Sequence, residues 1–455
     1  MDSGAGENAL GRRRDAAVRA AVAQGLLSDA CPVVGLLDVR TIREAARALR
    51  SALGGVALHA FAVKAAPLVP VLRLLADEGL GCEVASPGEL ALARAAGLAP
   101  EHIVLDSPAK TVTELREALA LGIAVNADNR EELTRLDALL AGTGRGGPSE
   151  GAGGPPAPSL GLRVNPQVGG GSIEALSTAT DTSKFGVALR DAGARAWVVR
   201  AYGERPWLTR LHAHVGSQGC PLSLIAEGVR VLYELAEEIN HAAGRRQVTT
   251  LDIGGGLPVN FASDEITPTF DDYAAVLAAA VPGLFDGRYA LVTEFGRSLL
   301  AKSGMVLARV EYAKSAGGRR IAVTHAGAQV AARTVFAPAS WPLRVAAYDA
   351  RGLPKTAPVV AQDVAGPCCF AGDLVATDRP LPLLEAGDHV ALLDTGAYYF
   401  AHPYGYNSLP RVAVHGYAAD DAGGVRFATV RPAQTTAELV AEGGAGHAAG
   451  LSGLY

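Results

Sequence analysis

Leu251–Pro258 reads LDIGGGLP, a short apolar β-prone run that stops in three consecutive glycines. Glycines in a row allow close backbone approach and leave a cluster of N–H groups free, which suits a phosphate dianion. The spacing is not that of the GxGxxG dinucleotide fingerprint. Outward from this stretch, similar segments recur between helical stretches rich in Ala, Leu, Arg and Glu: Val56–Lys64, Gly81–Ser86, His102–Ser107, Ile123–Asp128, Leu160–Asn165, Arg210–Gly216, Thr249–Gly254 and Ala290–Phe295, eight in all. Nearly continuous apolar strands are buried on both faces, as in parallel sheets covered by helices. Eight strand–helix units predict an α/β fold closed into a TIM (β/α)8 barrel. The glycine turn then follows the seventh strand, a common phosphate position in such barrels.

The 455 residues suffice for two domains. After Arg297 the segments Gly304–Tyr312, Arg320–Thr324, His389–Leu393 and Arg411–Tyr417 alternate in polarity between turn residues. They predict a mostly β C-terminal domain of sandwich or barrel-like form. The expected division is an N-terminal extension over 1–32, the barrel over 33–302, the β-domain over 303–441 and a flexible Gly/Ala-rich tail over 442–455. Within the barrel, residues 142–159 (GTGRGGPSEGAGGPPAPS) read as an exposed, flexible insertion. Apolar residues make up 49%, charged residues 19%, and the net charge is -5, which favours neither nucleic acid nor an anionic membrane as partner. Five cysteines without regular spacing argue against a disulfide framework and a CxxC metal site. The N-terminal stretch has no apolar core behind its charges and no run is long enough to span a bilayer, so the expectation is a cytoplasmic protein.

Polar residues gather where the proposed strands end, which in a TIM barrel is the catalytic face. Phe61-Ala62-Val63-Lys64-Ala65 closes the first strand with a lysine. Either desolvation makes Lys64 a nucleophilic amine suited to Schiff-base chemistry, or the lysine snorkels to the barrel rim. In Arg210–Cys220 (RLHAHVGSQGC), His212 and His214 point opposite ways if the segment is a strand. A flat imidazole at the barrel mouth can stack on an aromatic cofactor; it can equally be a satisfied core histidine. Two histidines at i, i+2 do not converge on one ion from a strand, so no metal is expected. Val292–Ser298 (VTEFGRS) sets Glu294, Gly296 and Arg297 after the eighth strand, flanking the same phosphate region.

Taken in order, FAVKA, HAHVGSQ, DIGGG, EFGR, GPCCFAGD and GAY resemble the motifs of the fold-type III pyridoxal-5′-phosphate (PLP) decarboxylases, the diaminopimelate/ornithine/arginine decarboxylase family. The resemblance runs from about Val34 to about Arg431, and Ser183-Lys184-Phe185-Gly186 resembles the diaminopimelate branch. It implies that Lys64 holds PLP covalently and that His214 stacks on the pyridine ring. It implies that Ser217, Gly254, Gly255, Gly256, the Glu294–Arg297 loop with Gly296, and Tyr398 bind the phosphate or the nearby ring. Glu294 would pair with the pyridine nitrogen and keep it protonated, so that the ring withdraws electrons from Cα. Cys369 would donate a proton near Cα from across a homodimer interface. Arg333 and Tyr398, with Arg297, would meet the amino-acid substrate.

Two departures bear on the substrate. The family's EPGR loop is Glu294-Phe295-Gly296-Arg297 here, a mild change of shape. After the cysteine the family commonly has an acid that reads the distal amine or stereocentre; here it is Phe370, which forms no charge-assisted hydrogen bond to ammonium. His325-Ala326-Gly327 also replaces the Asp-Gly-Gly-like segment of the diaminopimelate branch. The first reading is therefore a PLP-dependent amino-acid decarboxylase with a non-standard substrate. The alternatives are an ordinary meso-diaminopimelate decarboxylase making L-lysine, a barrel-type PLP racemase, and a non-catalytic binding homologue. The resembling racemases have an arginine at the pyridine nitrogen, which Glu294 argues against. A binding homologue would have lost Lys64 or the glycines.

Overall fold

Short runs such as Val84, Val104, Val125 and Leu162 with their neighbours have nowhere to put apolar side chains except on both faces of a covered sheet. In the computed structural model, which describes residues 3–142, 158–420, 423–452 and 454, these runs are the strands of a closed parallel barrel. Its strands, in barrel order, are Leu58–Ala62, Gly81–Val84, Ile103–Asp106, Ala124–Ala127, Leu160–Asn165, Leu208–His212, Thr250–Asp252 and Ala290–Thr293. Each pairs parallel with the next, and the eighth pairs with the first through Val292 opposite Leu58. All eight expected segments contain barrel strands; Leu160–Asn165 keeps its bounds, the strand at Arg210–Gly216 begins earlier, at Leu208, and ends at His212, and the other six are shorter than expected.

Helices alternate with these strands. Thr111 and Glu114 form a capping box that starts the helix Val112–Leu121, and Gly122 ends it in the left-handed conformation at φ 77°. Ser86 caps Pro87–Ala95, whose proline occupies the first turn where its missing N–H costs nothing. Most of the expected insertion at 142–159, residues 143–157, lies outside the described residues.

The chain divides into two compact units. One, Ile42–Asn260 with Ile266–Leu300, contains the barrel. The other, Met1–Thr41, Phe261–Glu265 and Ala301–Tyr455, contains the mostly β C-terminal sheet. The run Val33–Asp38, expected at the start of the barrel domain, is a strand of this second sheet. It is buried along its whole length and has partners on both sides, antiparallel with Gly304–Ala316 and parallel with Ala413–Ala419. The expected extension at 1–32 contains the helix Ser3–Ala23, whose Ala17, Val18 and Ala21 pack into the same core as Leu36, Leu307 and Tyr348. Four strands of the second sheet were not anticipated: Val345–Tyr348, Val359–Ala365, Leu374–Pro382 and Val425–Arg431. Leu374–Pro382 carries Pro380 and Pro382 and lies at the sheet edge, where a proline breaks no ladder. In the expected tail, Ala445–His447 forms a short 3-10 turn, and residues 453 and 455 lie outside the described residues. No helix among the described residues is long and apolar enough to cross a membrane.

Candidate active site

Parallel strands deliver their last residues to one end of a barrel, and here those residues carry the charge. Lys64 follows the first strand by two residues, and Glu83 lies next to the end of the second. Asp106, His212 and Asp252 end the third, sixth and seventh strands, and Glu294 follows the eighth.

Lys64 sits on the 3-10 turn Val63–Ala65. Of the two readings of Lys64, the one observed is a lysine at the barrel rim, not a desolvated amine. Its side chain is 48% exposed, and its Nζ meets Glu83 Oε2 at 2.5 Å. The turn lifts the lysine beyond the packed end of the strand and onto the fully buried Glu83. Burial pushes the Glu83 carboxyl up, to about 8, against the opposing pull of Lys64. Glu83 was not singled out from the sequence, although an acid inside the buried run Gly81–Val84 is a usable signal.

The sixth strand ends at His212, so His214 lies on the following loop and not on the strand as expected. His212 is fully buried inside the barrel, while His214 is half-buried. His214 Nδ1 accepts the Gly255 N–H at 3.1 Å, which leaves any proton of the neutral ring on Nε2. Burial first, then Arg163 and Lys64, push the His214 pKa well below its ordinary value, so the ring presents a neutral flat face.

The glycine loop is tightly seated. A Cβ on Gly255 would stand 2.3 Å from the Glu294 carbonyl oxygen, and one on Gly256 2.1 Å from that of Gly216. Gly254 and Gly256 have φ of 65° and 115°, conformations that favour glycine. The N–H cluster is not wholly free, because Gly254 donates to Asp252 Oδ1 at 3.2 Å and Gly255 to His214. The Gly256 N–H has no partner among the described residues. The Glu294 N–H donates to Gly254 O at 2.7 Å, which fixes the two loops together. Gly296 and Arg297 are buried beside them and Ser217 is half-buried. Glu294 Oε1 is buried without a hydrogen-bond partner among the described residues.

This set fits PLP: an accessible amine for its aldehyde, a neutral imidazole face for its ring, a glycine loop for its phosphate, and a buried carboxylate oxygen in want of a donor. Residues 39–301 match the family described as pyridoxal-dependent decarboxylase, pyridoxal binding domain. The chain belongs to the pyridoxal-dependent decarboxylases. A diaminopimelate decarboxylase of Actinosynnema pretiosum subsp. auranticum is 34% identical over 389 residues, covering 84% of this chain and 83% of its own length. The structure of diaminopimelate decarboxylase from Helicobacter pylori complexed with L-lysine matches with a TM-score of 0.76 at 26% identity, over 91% of this chain and 97% of that one. That of lysine/ornithine decarboxylase complexed with putrescine from Vibrio vulnificus matches with a TM-score of 0.70 at 25% identity, over 88% and 97%. This decarboxylase is thus a PLP-dependent amino-acid carboxy-lyase.

The remaining candidate residues of the decarboxylase lie in the second unit. Arg333 is on the helix Ala328–Phe336, its guanidinium 4.7 Å from the Tyr398 ring centroid and 5.2 Å from that of Trp341. Its Nη1 is buried without a hydrogen-bond partner among the described residues. Tyr398 has φ 69°, and its carbonyl oxygen lies 2.6 Å from His402 Nδ1. Cys369 is exposed, and its N–H donates to Asn407 Oδ1 at 2.8 Å. Phe370 stacks on Phe336 at 5.6 Å, with the edges of Tyr404 and Tyr406 against it. Asp373, the acid nearest in sequence, is buried, and its two oxygens accept the N–H groups of Ala328 (2.6 Å) and Cys368 (2.7 Å). The roles of Phe336, Tyr404 and Tyr406 around Phe370 had no sequence signal beyond aromaticity.

Proposed function

We propose that this decarboxylase acts on an amino acid whose distal group is not a bare ammonium, with Lys64 as the lysine that holds the cofactor. When bound, PLP supplies an electron sink for the pair left on Cα as CO₂ departs. Glu294 holds a proton at the pyridine nitrogen, and its partnerless buried oxygen supports that role. His214 packs its neutral ring face on the cofactor, where a charged imidazolium would repel the protonated pyridine ring. Ser217, the Gly254–Gly256 loop, Gly296, Arg297 and Tyr398 take the phosphate and the ring edge. Cys369 delivers the proton to Cα, acting on the barrel of the partner subunit in a homodimer. Arg333 meets the substrate. Its cation is held by aromatic faces and retains an N–H without a partner, which supports recognition of an anionic group.

The observation that carries the substrate reading is the aromatic cluster of Phe370, Phe336, Tyr404 and Tyr406 next to Cys369. Asp373, the acid nearest in sequence, does not take the place of the family's acid there, because it is committed to backbone groups. Favoured substrates therefore carry an apolar, amide-like or, through Arg333, anionic distal group. A second reading, the ordinary meso-diaminopimelate decarboxylase, is favoured by the names of the relatives. The fold alone does not decide, since diaminopimelate and lysine/ornithine decarboxylases share it. Measuring CO₂ release from the purified holoenzyme across a panel of amino acids and their conjugates tests the proposal. Turnover restricted to substrates with a free distal ammonium would overturn it.

A further inference from the structure

His212 is fully buried in the barrel interior and takes no part in the chemistry above. Its Nδ1 faces Asp106 Oδ2 at 3.7 Å and its Nε2 faces Glu294 Oε2 at 3.5 Å. A neutral imidazole carries one N–H and one lone pair, so in this position it would aim a lone pair at a carboxylate oxygen. At these distances neither nitrogen makes a hydrogen bond, and only the doubly protonated ring turns positive charge, not a lone pair, toward both carboxylates. The surrounding charge agrees. Asp106, Asp252 and Glu294 face the ring, and the guanidiniums of Arg163 and Arg210 neutralise Asp106 and Asp252 at 2.8 Å each. Among the described residues, that leaves Glu294 without a guanidinium of its own. Lys64 is paired with Glu83, Lys110 with Glu132, and His214 is held neutral by Gly255.

We infer that His212 is a positioning residue for Glu294: a buried imidazolium, bridging Asp106 and Glu294, that keeps the Glu294 carboxylate charged and aimed at its target. This rests on the reading that Glu294 pairs with the pyridine nitrogen. Without a cation beneath it, Glu294 would take up a proton, because burial and then Asp252 raise its carboxyl while His212 lowers it. A neutral acid cannot hold the pyridine proton. Burial lowers the His212 pKa, but Asp106, Glu294 and Asp252 outweigh it and push it up to about 9.

Two measurements on the holoenzyme test this. In ¹⁵N-histidine-labelled wild type, with His212 assigned by its loss in His212→Gln, both ring nitrogens carry protons at pH 7 and one is lost as pH rises through about 9. A singly protonated ring at pH 7 overturns the inference, as does one equivalent of tightly bound metal, since Asp106, His212 and Glu294 are also close enough to share an ion. In His212→Gln, a carboxylic-acid C=O band appears in the infrared and vanishes in the His212→Gln/Glu294→Gln double variant. kcat falls roughly 10- to 100-fold with KM little changed, the scale seen when an outer partner of a functional ligand is removed. The double variant loses no more than the worse single one; additive losses overturn the inference. If His212→Gln does not fold, through-bond NMR correlations to the backbone assign the His212 ring, and the wild-type spectrum still decides. If Glu294→Gln leaves the spectrum of the bound cofactor unchanged, the pairing of Glu294 with the pyridine nitrogen fails, and this role of His212 with it.

Discussion

Lys64 Nζ and Glu83 Oε2 lie 2.5 Å apart, a half-exposed ammonium on a fully buried carboxylate. The Glu83 carboxyl is pushed up from 4.5 to about 8, chiefly by burial. A raised acid favours folding while protonated, so its contribution is complete below pH 4.5 and is lost as pH rises through about 8. Glutamine mimics the protonated form. In the protein stripped of cofactor, Glu83→Gln should therefore match wild type in acid and exceed it by more than about 1 kcal/mol near pH 8, one pKa unit being worth about 1.36 kcal/mol. Urea midpoints from pH 4 to 9 give the difference. A gap that stays flat or shrinks with pH would show that Lys64 fully compensates the buried charge.

The covalent role of Lys64 is checked directly. The purified protein should be yellow, and Lys64→Ala should lose the absorbance of the covalently held cofactor. Borohydride reduction followed by peptide mapping should find the pyridoxyl group on Lys64. A label on Lys110 or Lys302, the buried lysines, would move the site elsewhere.

Gly255 has no room for a side chain, since a Cβ would stand 2.3 Å from the Glu294 carbonyl oxygen. Gly255→Ala must push the glycine loop away from the Glu294 loop. Overpacking of this kind costs about 1–3 kcal/mol, and PLP affinity should fall by roughly tenfold or more if the loop holds the phosphate. Titration of the stripped protein with PLP measures it. Unchanged affinity would place the phosphate on other groups.

In the proposed homodimer, one subunit's barrel acts with the partner's Cys369. Lys64→Ala and Cys369→Ala should each lose activity, the latter by roughly 10²–10⁴-fold, the usual worth of a positioned proton donor. Co-refolded one to one, half the dimers are hybrids and each hybrid has one intact site, so about a quarter of wild-type activity should return. A fully active monomer in sedimentation would refute the arrangement.

The barrel was legible because each strand is a run of residues buried on both faces, a local property of the chain. The candidate cofactor residues were legible for a related reason: strand ends such as Lys64 and Glu294 are sequence-local features of a parallel barrel. The partners of Glu83, Asp106 and His212 were not. These three residues come from the second, third and sixth strands and acquire partners only when the barrel closes. The same holds for Val33–Asp38, whose strand partners lie hundreds of residues away in Gly304–Ala316 and Ala413–Ala419. Lys64 takes the rim alternative over desolvation because a turn outside the strand, not the strand itself, carries the lysine.

Phe370 decides between the two substrate readings. Its ring is sandwiched against Phe336 and edged by Tyr406, so it is fixed as one wall of an aromatic cluster. An ammonium against that wall would give up its hydration for cation–π attraction of about 0.5–2 kcal/mol, less than a charge-assisted hydrogen bond to a carboxylate supplies. Sites that read a polar group by a buried hydrogen bond discriminate strongly because the wrong ligand leaves a partner unpaired; here that partner is absent. Wild type should therefore turn over meso-diaminopimelate well below the usual enzyme range of about 10⁴ M⁻¹s⁻¹ and above in kcat/KM. Phe370→Glu should gain that activity, and should weaken turnover of the natural substrate by removing the aromatic wall. Arg333→Ala should raise KM for substrates with an anionic distal group and spare those with an apolar one. If wild type already decarboxylates meso-diaminopimelate at about 10⁴ M⁻¹s⁻¹ or faster, Phe370 is packing, and some other group reads the amine.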